Sequence, residues 1–170
     1  MKLIFFDLGA TSGWAHNCDP ATISHGQMEF AGNRPARLWA MFEAVDVLLR
    51  GIMVDAVVYE RPFARGQGAT RSLWGQAGIL EAVATRRGFP VLDITPAETK
   101  KFAAGFGNAD KPQMTFAAER ALESAGCHVP AVLGEHEADA ICGLFYAMTH
   151  VSKPTPKAKR KPASVSRKRK

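Results

Sequence analysis

Short apolar runs that end in an acidic residue alternate with longer amphipathic stretches along the first 150 positions of the chain. Apolar runs of this length, bounded by glycine, proline or an acid, are typical of buried strands. Two shorter segments between the first run and the first amphipathic stretch are typical of hairpin strands. The pattern therefore predicts strands at 2–7, 13–17, 26–30, 55–60 and 90–94.

Helices are predicted where apolar residues recur every three or four positions and where the flanking residues favour a helix end. Thr95-Pro96-Ala97-Glu98 and Asp110-Lys111-Pro112-Gln113 have the composition of helix starts, with proline at the first helical position. The predicted helices are 36–50, 69–87, a short one from about 95, 110–124 and 134–150. Strands and helices in this order predict an α/β domain with a mixed five-stranded sheet flanked by helices.

The positive charge of the chain is concentrated in its last residues. The 170 residues include 22 lysines and arginines against 16 acidic residues, a net charge of +6. Nine of these basic residues and no acidic one lie in 152–170, which leaves 13 basic against 16 acidic residues, or −3, in 1–151. The 152–170 segment has no apolar periodicity, so we predict a disordered tail that binds a polyanion such as DNA, following a folded domain at 1–151.

Size and composition exclude several classes of protein. A chain of 170 residues with 46% hydrophobic and 22% charged residues is typical of one globular domain. Its apolar runs are too short to span a bilayer, so no membrane association is expected. Three cysteines without paired spacing predict a reducing, cytoplasmic location and no disulfides.

Two of the predicted strands end in a carboxylate, Asp7 and Glu60. If these strands are neighbours, they lie about 4.8 Å apart and both carboxylates reach one cation. The spacing alone leaves a second interpretation open, in which Asp7 caps a turn and Glu60 pairs with Arg61.

A third acidic group, Glu135-His136-Glu137 followed by Asp139, opens the last predicted helix. Either Glu135 or His136 shares a helix face with Asp139, whereas Glu137 points elsewhere. Carboxylate oxygens with an occasional imidazole suit Mg²⁺ or Mn²⁺. A purely structural acidic first turn fits the spacing equally well.

Four segments of the chain resemble the RuvC family of Holliday-junction resolvases, and together they cover roughly residues 1–150. They are FDLGATSGWA, VVYERPF, the tract from SLWGQAGILEAVATRRGFPVLDITPAETK to KFAAGFGNADKPQM, and HEADAICGL. The resemblance implies an RNase H-like fold. Arg61-Pro62 between Glu60 and Phe63 departs from the family pattern and predicts a stiffer, more basic loop. The basic tail lies outside the resemblance and suggests a phage-type or divergent member.

The resemblance also implies the site residues. The four acidic or imidazole positions of the family fall on Asp7, Glu60, His136 and Asp139, and imply a site for two Mg²⁺ or Mn²⁺ ions. Two lysines that act in catalysis or phosphate contact fall on Lys100 and Lys111. We prefer Lys100 to its neighbour Lys101, because counting back from Gly105 then needs no gap.

Several residues near the second acid are predicted to contact DNA. The aromatic residue that acts at the junction bases in the family falls on Phe63. The basic residues predicted to contact phosphates are Arg61, Arg65, Arg71 and Lys101.

The function that the resemblance implies is that of a metal-dependent crossover junction endodeoxyribonuclease, which resolves four-way junctions and other branched DNA as a homodimer. Two alternatives stay open: a RuvC-like nuclease that processes RNA, and a non-catalytic DNA-binding accessory protein. An actin-like ATPase, suggested by Asp7-Leu8-Gly9, needs a second phosphate loop for which the chain has no room.

Overall fold

A five-stranded mixed sheet with helices on both faces forms the part of the chain that the computed structural model describes, residues 1–19, 21–63 and 66–152. The strand order is β3-β2-β1-β4-β5. The strands are β1 Leu3–Asp7, β2 Thr11–His16, β3 Ser24–Glu29, β4 Ala56–Glu60 and β5 Val91–Ile94. All five strands lie within a few residues of their predicted positions.

The sheet topology brings two acidic strand ends to one edge. Strands β1 and β4 are parallel neighbours, with Phe6 opposite Tyr59 in the register. Their carboxyl ends, Asp7 and Glu60, therefore lie side by side as predicted. Alternation along β1 places Asp7 on the same face of the sheet as the buried Phe5, and this is the face that α5 covers.

Five helices cover the two faces of the sheet. They are α1 Arg34–Arg50, α2 Gln67–Arg86, α3 Pro96–Ala104, α4 Lys111–Ser124 and α5 Glu135–His150. Helices α1 and α2 bury apolar residues against one face, around Ile4 and Phe6. Helices α3, α4 and α5 cover the other face, around Leu3 and Phe5.

The predicted helix starts at Thr95 and Asp110 are confirmed. Both helices begin with a capping box, in which Glu98 and Gln113 bond back to the residue before the helix. Helix α2 begins at Gln67, two residues earlier than predicted. Gly68 lies in this first turn, and because glycine is a poor helix former, the sequence pattern does not predict the turn as helical.

A buried carboxylate joins α1 to α2. Asp46 accepts hydrogen bonds from Arg50 at 2.8 Å and from Arg86 and Arg87 at 2.6 Å. The bond from Arg87, with those from Arg50 and Arg86, holds the pKa of Asp46 well below its usual range. The carboxylate is therefore charged in the folded protein and ties together the carboxyl-terminal halves of the two helices.

Replacing Asp46 by Asn should lower the melting temperature at neutral pH, because three arginines then face an uncharged amide. A depressed pKa in the folded state stabilises the fold above the unfolded-state pKa of about 4, and this stabilisation is lost as the pH falls through the folded-state pKa. Thermal unfolding of both proteins from pH 7 down to about 3 checks the expectation. The difference in melting temperature should narrow toward acid pH, and a constant difference would contradict it.

Cys18, Cys127 and Cys142 are free thiols, and Cys142 is buried. Within the described residues, no helix has both the length and the apolar composition required to cross a bilayer. The basic tail predicted at 152–170 lies, apart from Ser152, outside the described residues.

Candidate active site

The end of β1 and the start of α5 meet at a short contact between an acid and an imidazole. His136 Nδ1 lies 2.7 Å from Asp7 Oδ2, although the two residues are 129 positions apart in the sequence. This hydrogen bond, together with the charges of Asp7 and Asp139, raises the pKa of His136 although partial burial opposes the shift. His136 therefore faces the carboxylates, as its predicted role requires.

A glycine makes this contact possible. Gly13 in β2 pairs with Asp7 across the sheet. A Cβ atom added to Gly13 would lie 1.8 Å from the backbone oxygen of His136 and 3.0 Å from the backbone nitrogen of Glu137. The first turn of α5 thus rests directly on the backbone of β2, and only glycine leaves room for it.

Asp139 lies one helical turn after His136 and lines the same cavity. Burial, followed by the negative charge of Asp7, raises the pKa of Asp139 to about 6, although Lys100, His136 and Lys111 oppose the shift. Because these three cations do not outweigh burial and the charge of Asp7, a further cation in the cavity would stabilise the ionised form of Asp139.

All six residues predicted to act in catalysis line one cavity. It lies at the carboxyl ends of β1 and β4, between the starts of α2, α4 and α5. The predicted residues that line it are Asp7, Glu60, Arg61, Phe63, Lys100, Lys111, His136 and Asp139. The remaining walls are formed by Leu8, Pro62, Leu73, Pro96, Asp110 and Met114.

The two predicted lysines reach the cavity from different helices. Lys100 of α3 donates from Nζ to the carbonyl oxygen of Ala109 at 3.0 Å. Lys111 begins α4 and pairs with Glu135, which raises the pKa of Lys111. Lys101 is exposed and does not line the cavity, in agreement with the preference for Lys100. Because Glu135 faces Lys111, His136 is the better placed of the two ligand candidates.

Besides Lys101, four residues were predicted to contact DNA, and the three that the structure describes lie in different environments. Phe63 is 67% exposed at the mouth of the cavity, and is therefore not a core residue. Arg61 binds Asp93, with Nε 2.5 Å from Oδ2 and Nη2 3.2 Å from Oδ1, so part of its guanidinium is already engaged. Arg71 is exposed on α2 outside the cavity wall, and Arg65 lies outside the described residues.

Supporting contacts around the site are not apparent from the sequence. Gln76 of α2, only 2% exposed, donates from Nε2 to the carbonyl oxygen of Gly9 at 2.7 Å. The Ser12 hydroxyl lies 3.1 Å from both the nitrogen and the oxygen of Gly9. These bonds fix the turn that follows Asp7.

A second supporting contact holds the start of α5 against β3. His25 Nδ1 lies 2.5 Å from Oε1 of Glu137, and Glu137 Oε2 accepts from the backbone nitrogen of Gly134. Sequence spacing offers no partner for His25, because Glu137 is 112 positions away. Glu137 points away from the cavity, as predicted, and orients the helix that carries His136.

The donor set fits a hard divalent cation, although it is not arranged as a metal site. Among the described residues, no three His, Cys, Asp or Glu side chains converge to the spacing of metal ligands. Asp7 is instead hydrogen-bonded to His136. Carboxylate oxygens and one imidazole nevertheless share the cavity, and these are the ligand types that Mg²⁺ and Mn²⁺ accept.

Comparison with known proteins identifies the family. The model of the family "Crossover junction endodeoxyribonuclease RuvC" matches residues 21–150. The chain belongs to the RuvC family. A RuvC from Saccharopolyspora erythraea is 38% identical over 115 residues, which are 66% of this chain and 57% of that protein. One from Corynebacterium diphtheriae is 37% identical over 112 residues, 65% of this chain and 69% of that protein. The resemblance read from the four sequence segments is thus confirmed.

The fold agrees with that of solved RuvC structures. Thermus thermophilus RuvC in complex with a Holliday junction substrate superposes with a TM-score of 0.72 at 19% identity, over 87% of this chain and 93% of that one. The predicted RNase H-like fold is therefore confirmed. The chain spans 57% and 62% of the lengths of the first two curated RuvC relatives that it matches.

Proposed function

We propose that this chain is a metal-dependent, structure-selective DNA endonuclease that resolves four-way junctions, and other branched DNA, by paired symmetric nicks. The observation that carries this proposal is the cavity into which Asp7, Glu60, His136 and Asp139 project together with Lys100. Membership of a family of crossover junction endodeoxyribonucleases supports the same activity. Hydrolysis would leave a 5′-phosphate and a 3′-hydroxyl.

Asp7, Glu60, His136 and Asp139 are the residues that we propose to hold Mg²⁺ or Mn²⁺, two ions per site. When bound, the ions would lower the pKa of the attacking water and stabilise the departing 3′-oxygen. As a ligand His136 would have to be a neutral imidazole, whereas its hydrogen bond to Asp7 favours the protonated form, so metal binding by His136 would strengthen with rising pH. The lysines at the cavity wall would place positive charge beside the scissile phosphate.

Two symmetric nicks need two active sites, so we further propose a homodimer. The outer face of α2 beyond the turn of Arg71 fits such an interface, and leaves Arg71 itself outside it. Trp74 is 49% exposed there, and Gly78, one turn along, has no heavy atom within 4 Å of an added Cβ. A helical glycine costs about 1 kcal/mol relative to alanine, and no packing within the described chain accounts for Gly78. Close approach of a second copy of the chain would account for a glycine at this position. Light scattering, which measures the mass of the protein in solution, tests whether the chain forms a dimer.

A digestion series in Mg²⁺ tests the activity. Labelled four-way junction, flap, fork, linear duplex and single-stranded RNA are incubated with the full chain. We expect the junction to be cut at symmetric positions in two strands and the linear duplex to stay intact. Preferred cutting of RNA would favour an RNA-processing nuclease, and junction binding without cutting would favour a non-catalytic accessory protein.

Replacing Phe63 by Ala should slow cleavage of an intact junction without lowering the melting temperature, because the ring is exposed. Stacking of a base on an aromatic ring contributes about 1–3 kcal/mol, and this contact would hold the opened crossover. A junction already unpaired at the crossover should restore part of the rate. Phe116→Ala is the matched control, since Phe116 is 60% exposed but lies on α4 outside the cavity. Equal losses on the paired and unpaired junctions would contradict the stacking role.

The basic segment 152–170 is proposed to add affinity without recognising the junction. Its nine positive charges and lack of acidic residues suit contact with phosphates of any geometry. Removing the segment should therefore weaken the binding of junction and duplex by the same factor.

A further inference from the structure

Arg34, Arg37 and Arg71 lie in the amino-terminal halves of α1 and α2, and they differ from the arginines at the carboxyl-terminal ends of these helices. Arg50, Arg86 and Arg87, at the carboxyl-terminal ends of these helices, all bind Asp46. Within the described part of the chain, no ion pair involves the arginines in the amino-terminal halves. These are Arg34, Arg37 and Arg71, which we call the arginine surface.

The arginine surface lies at the same end of the sheet as the catalytic cavity. Strand β3 runs parallel to β1, because each is antiparallel to β2. Helix α1 follows β3, and α2 follows β4, so both helices begin at the edge formed by the carboxyl ends of the strands. Two residues after Arg71, Leu73 lines the cavity, and the first turns of α2 thus border both the cavity and the arginine surface.

Contacts between the helices hold the arginine surface together. An added Cβ on Gly75 would lie 3.4 Å from Nη2 of Arg34, so the Arg34 guanidinium packs against α2. Gly75 is one turn after Arg71 on the same helix face. The Nε atoms of Arg34 and Arg37 are buried and make no hydrogen bond within the described chain. The two side chains are therefore partly immobilised before any ligand binds.

The position of these arginines is unfavourable for the helices themselves. The amino-terminal end of a helix carries partial positive charge, and a cation in the first turn, such as Arg34 at the first position of α1, is destabilising by roughly 0.3–1 kcal/mol. The first turns of α1 and α2 contain no acidic residue that would compensate. Residues 1–151 as a whole carry a net charge of −3, so the cluster is not a consequence of a basic domain. A bound anion offsets both the arginine charges and the helix dipoles.

We propose that the arginine surface binds backbone phosphates of a duplex arm of the DNA whose crossover occupies the catalytic cavity. This assignment rests on the proposed function. Duplex DNA is the anion that fits, because it presents a row of phosphates long enough to extend from the cavity around α2. Guanidinium groups bind phosphate oxygens in a bidentate manner. These contacts would position the arm without reading its sequence.

The experiment measures the salt dependence of binding, with the full chain throughout and without divalent ions. Each phosphate contact contributes about 0.9 to the slope of log affinity against log salt. We expect Arg71→Gln to lower the slope by about 1 and the triple variant Arg34→Gln/Arg37→Gln/Arg71→Gln by about 2 to 3, on junction and on plain duplex. Arg120→Gln is the matched control, because Arg120 is exposed on α4 at the opposite face and has no ion pair within the described residues. Its slope should equal that of the wild type.

Thermal unfolding distinguishes the loss of a DNA contact from a loss of protein stability. Arg71 is exposed and has no ion pair within the described residues, so Arg71→Gln should keep the melting temperature of the wild type while DNA binding weakens. A slope for Arg71→Gln and the triple variant equal to that of Arg120→Gln would overturn the assignment. Failure of the wild type to cut any junction would overturn the proposed function alone, because the slope on plain duplex measures the arginine surface independently of cleavage.

Discussion

Replacing Asp7 by Asn should reduce junction cleavage at least about 10³-fold, the size of the loss when a main electrostatic contributor to a transition state is removed. The amide keeps the size of the side chain and still accepts a hydrogen bond from His136. It loses the charge that a cation needs. Single-turnover cleavage in Mg²⁺ and in Mn²⁺ measures the effect, and junction binding should stay nearly intact.

The melting temperature should distinguish a role of Asp7 in metal binding from a role in stabilising the fold. Asp7 is one of the charges that raise the pKa of Asp139, so its neutralisation relieves repulsion between two carboxylates. The melting temperature of Asp7→Asn should therefore equal or exceed that of the wild type, as is typical where a site is arranged for function.

Asp110→Asn is the matched control for the Asp7 substitution. Asp110 lines the same cavity and caps α4, and asparagine caps a helix as well as aspartate. This variant loses one carboxylate charge from the cavity but should keep its activity. Full cleavage by Asp7→Asn, or an equal loss in both variants, would remove Asp7 from the proposed ligands.

Much of the fold follows from local pattern because the determinants of each element lie close together in the sequence. The run that ends at Glu60 is apolar on both faces, and β4 is buried on both sides of the sheet. The helix starts at Thr95 and Asp110 depend on residues three positions apart. The pairing of β1 with β4 then brings Asp7 beside Glu60, which was predicted on the condition that the strands are neighbours.

The supporting parts of the site depend on contacts between distant segments, which local pattern does not contain. His25 and Glu137 are 112 positions apart, and Gln76 reaches Gly9 across 67 positions. The pairing of Arg61 with Asp93 was likewise not anticipated, since the sequence suggested Glu60 or DNA as its partner. Sequence spacing likewise does not show that Lys111 pairs with Glu135, the contact for which we prefer His136 as the proposed ligand.

Gly13 was predicted only as the first residue of a strand, and its substitution by alanine should have the second large effect. Considered within β2 alone, alanine is favoured over glycine by roughly 0.5–1 kcal/mol. In the folded protein, the new methyl group would lie 1.8 Å from the backbone oxygen of His136. No side chain can rotate away, so the first turn of α5 must move. We expect a loss of about 1–3 kcal/mol in the free energy of unfolding.

The same displacement should reduce cleavage about 10²-fold, because a shift of about 1 Å in a catalytic group costs a factor of this size. His136 and Asp139 both lie on the turns that would move away from Asp7. Gly51→Ala is the control, since Gly51 has right-handed helical backbone angles and an added Cβ meets nothing closer than 3.6 Å. Denaturant unfolding and single-turnover cleavage of both variants measure the two effects. If Gly13→Ala were more stable than the wild type and fully active, α5 would not rest on β2, and the contact between His136 and Asp7 could not be the arrangement that assembles the site.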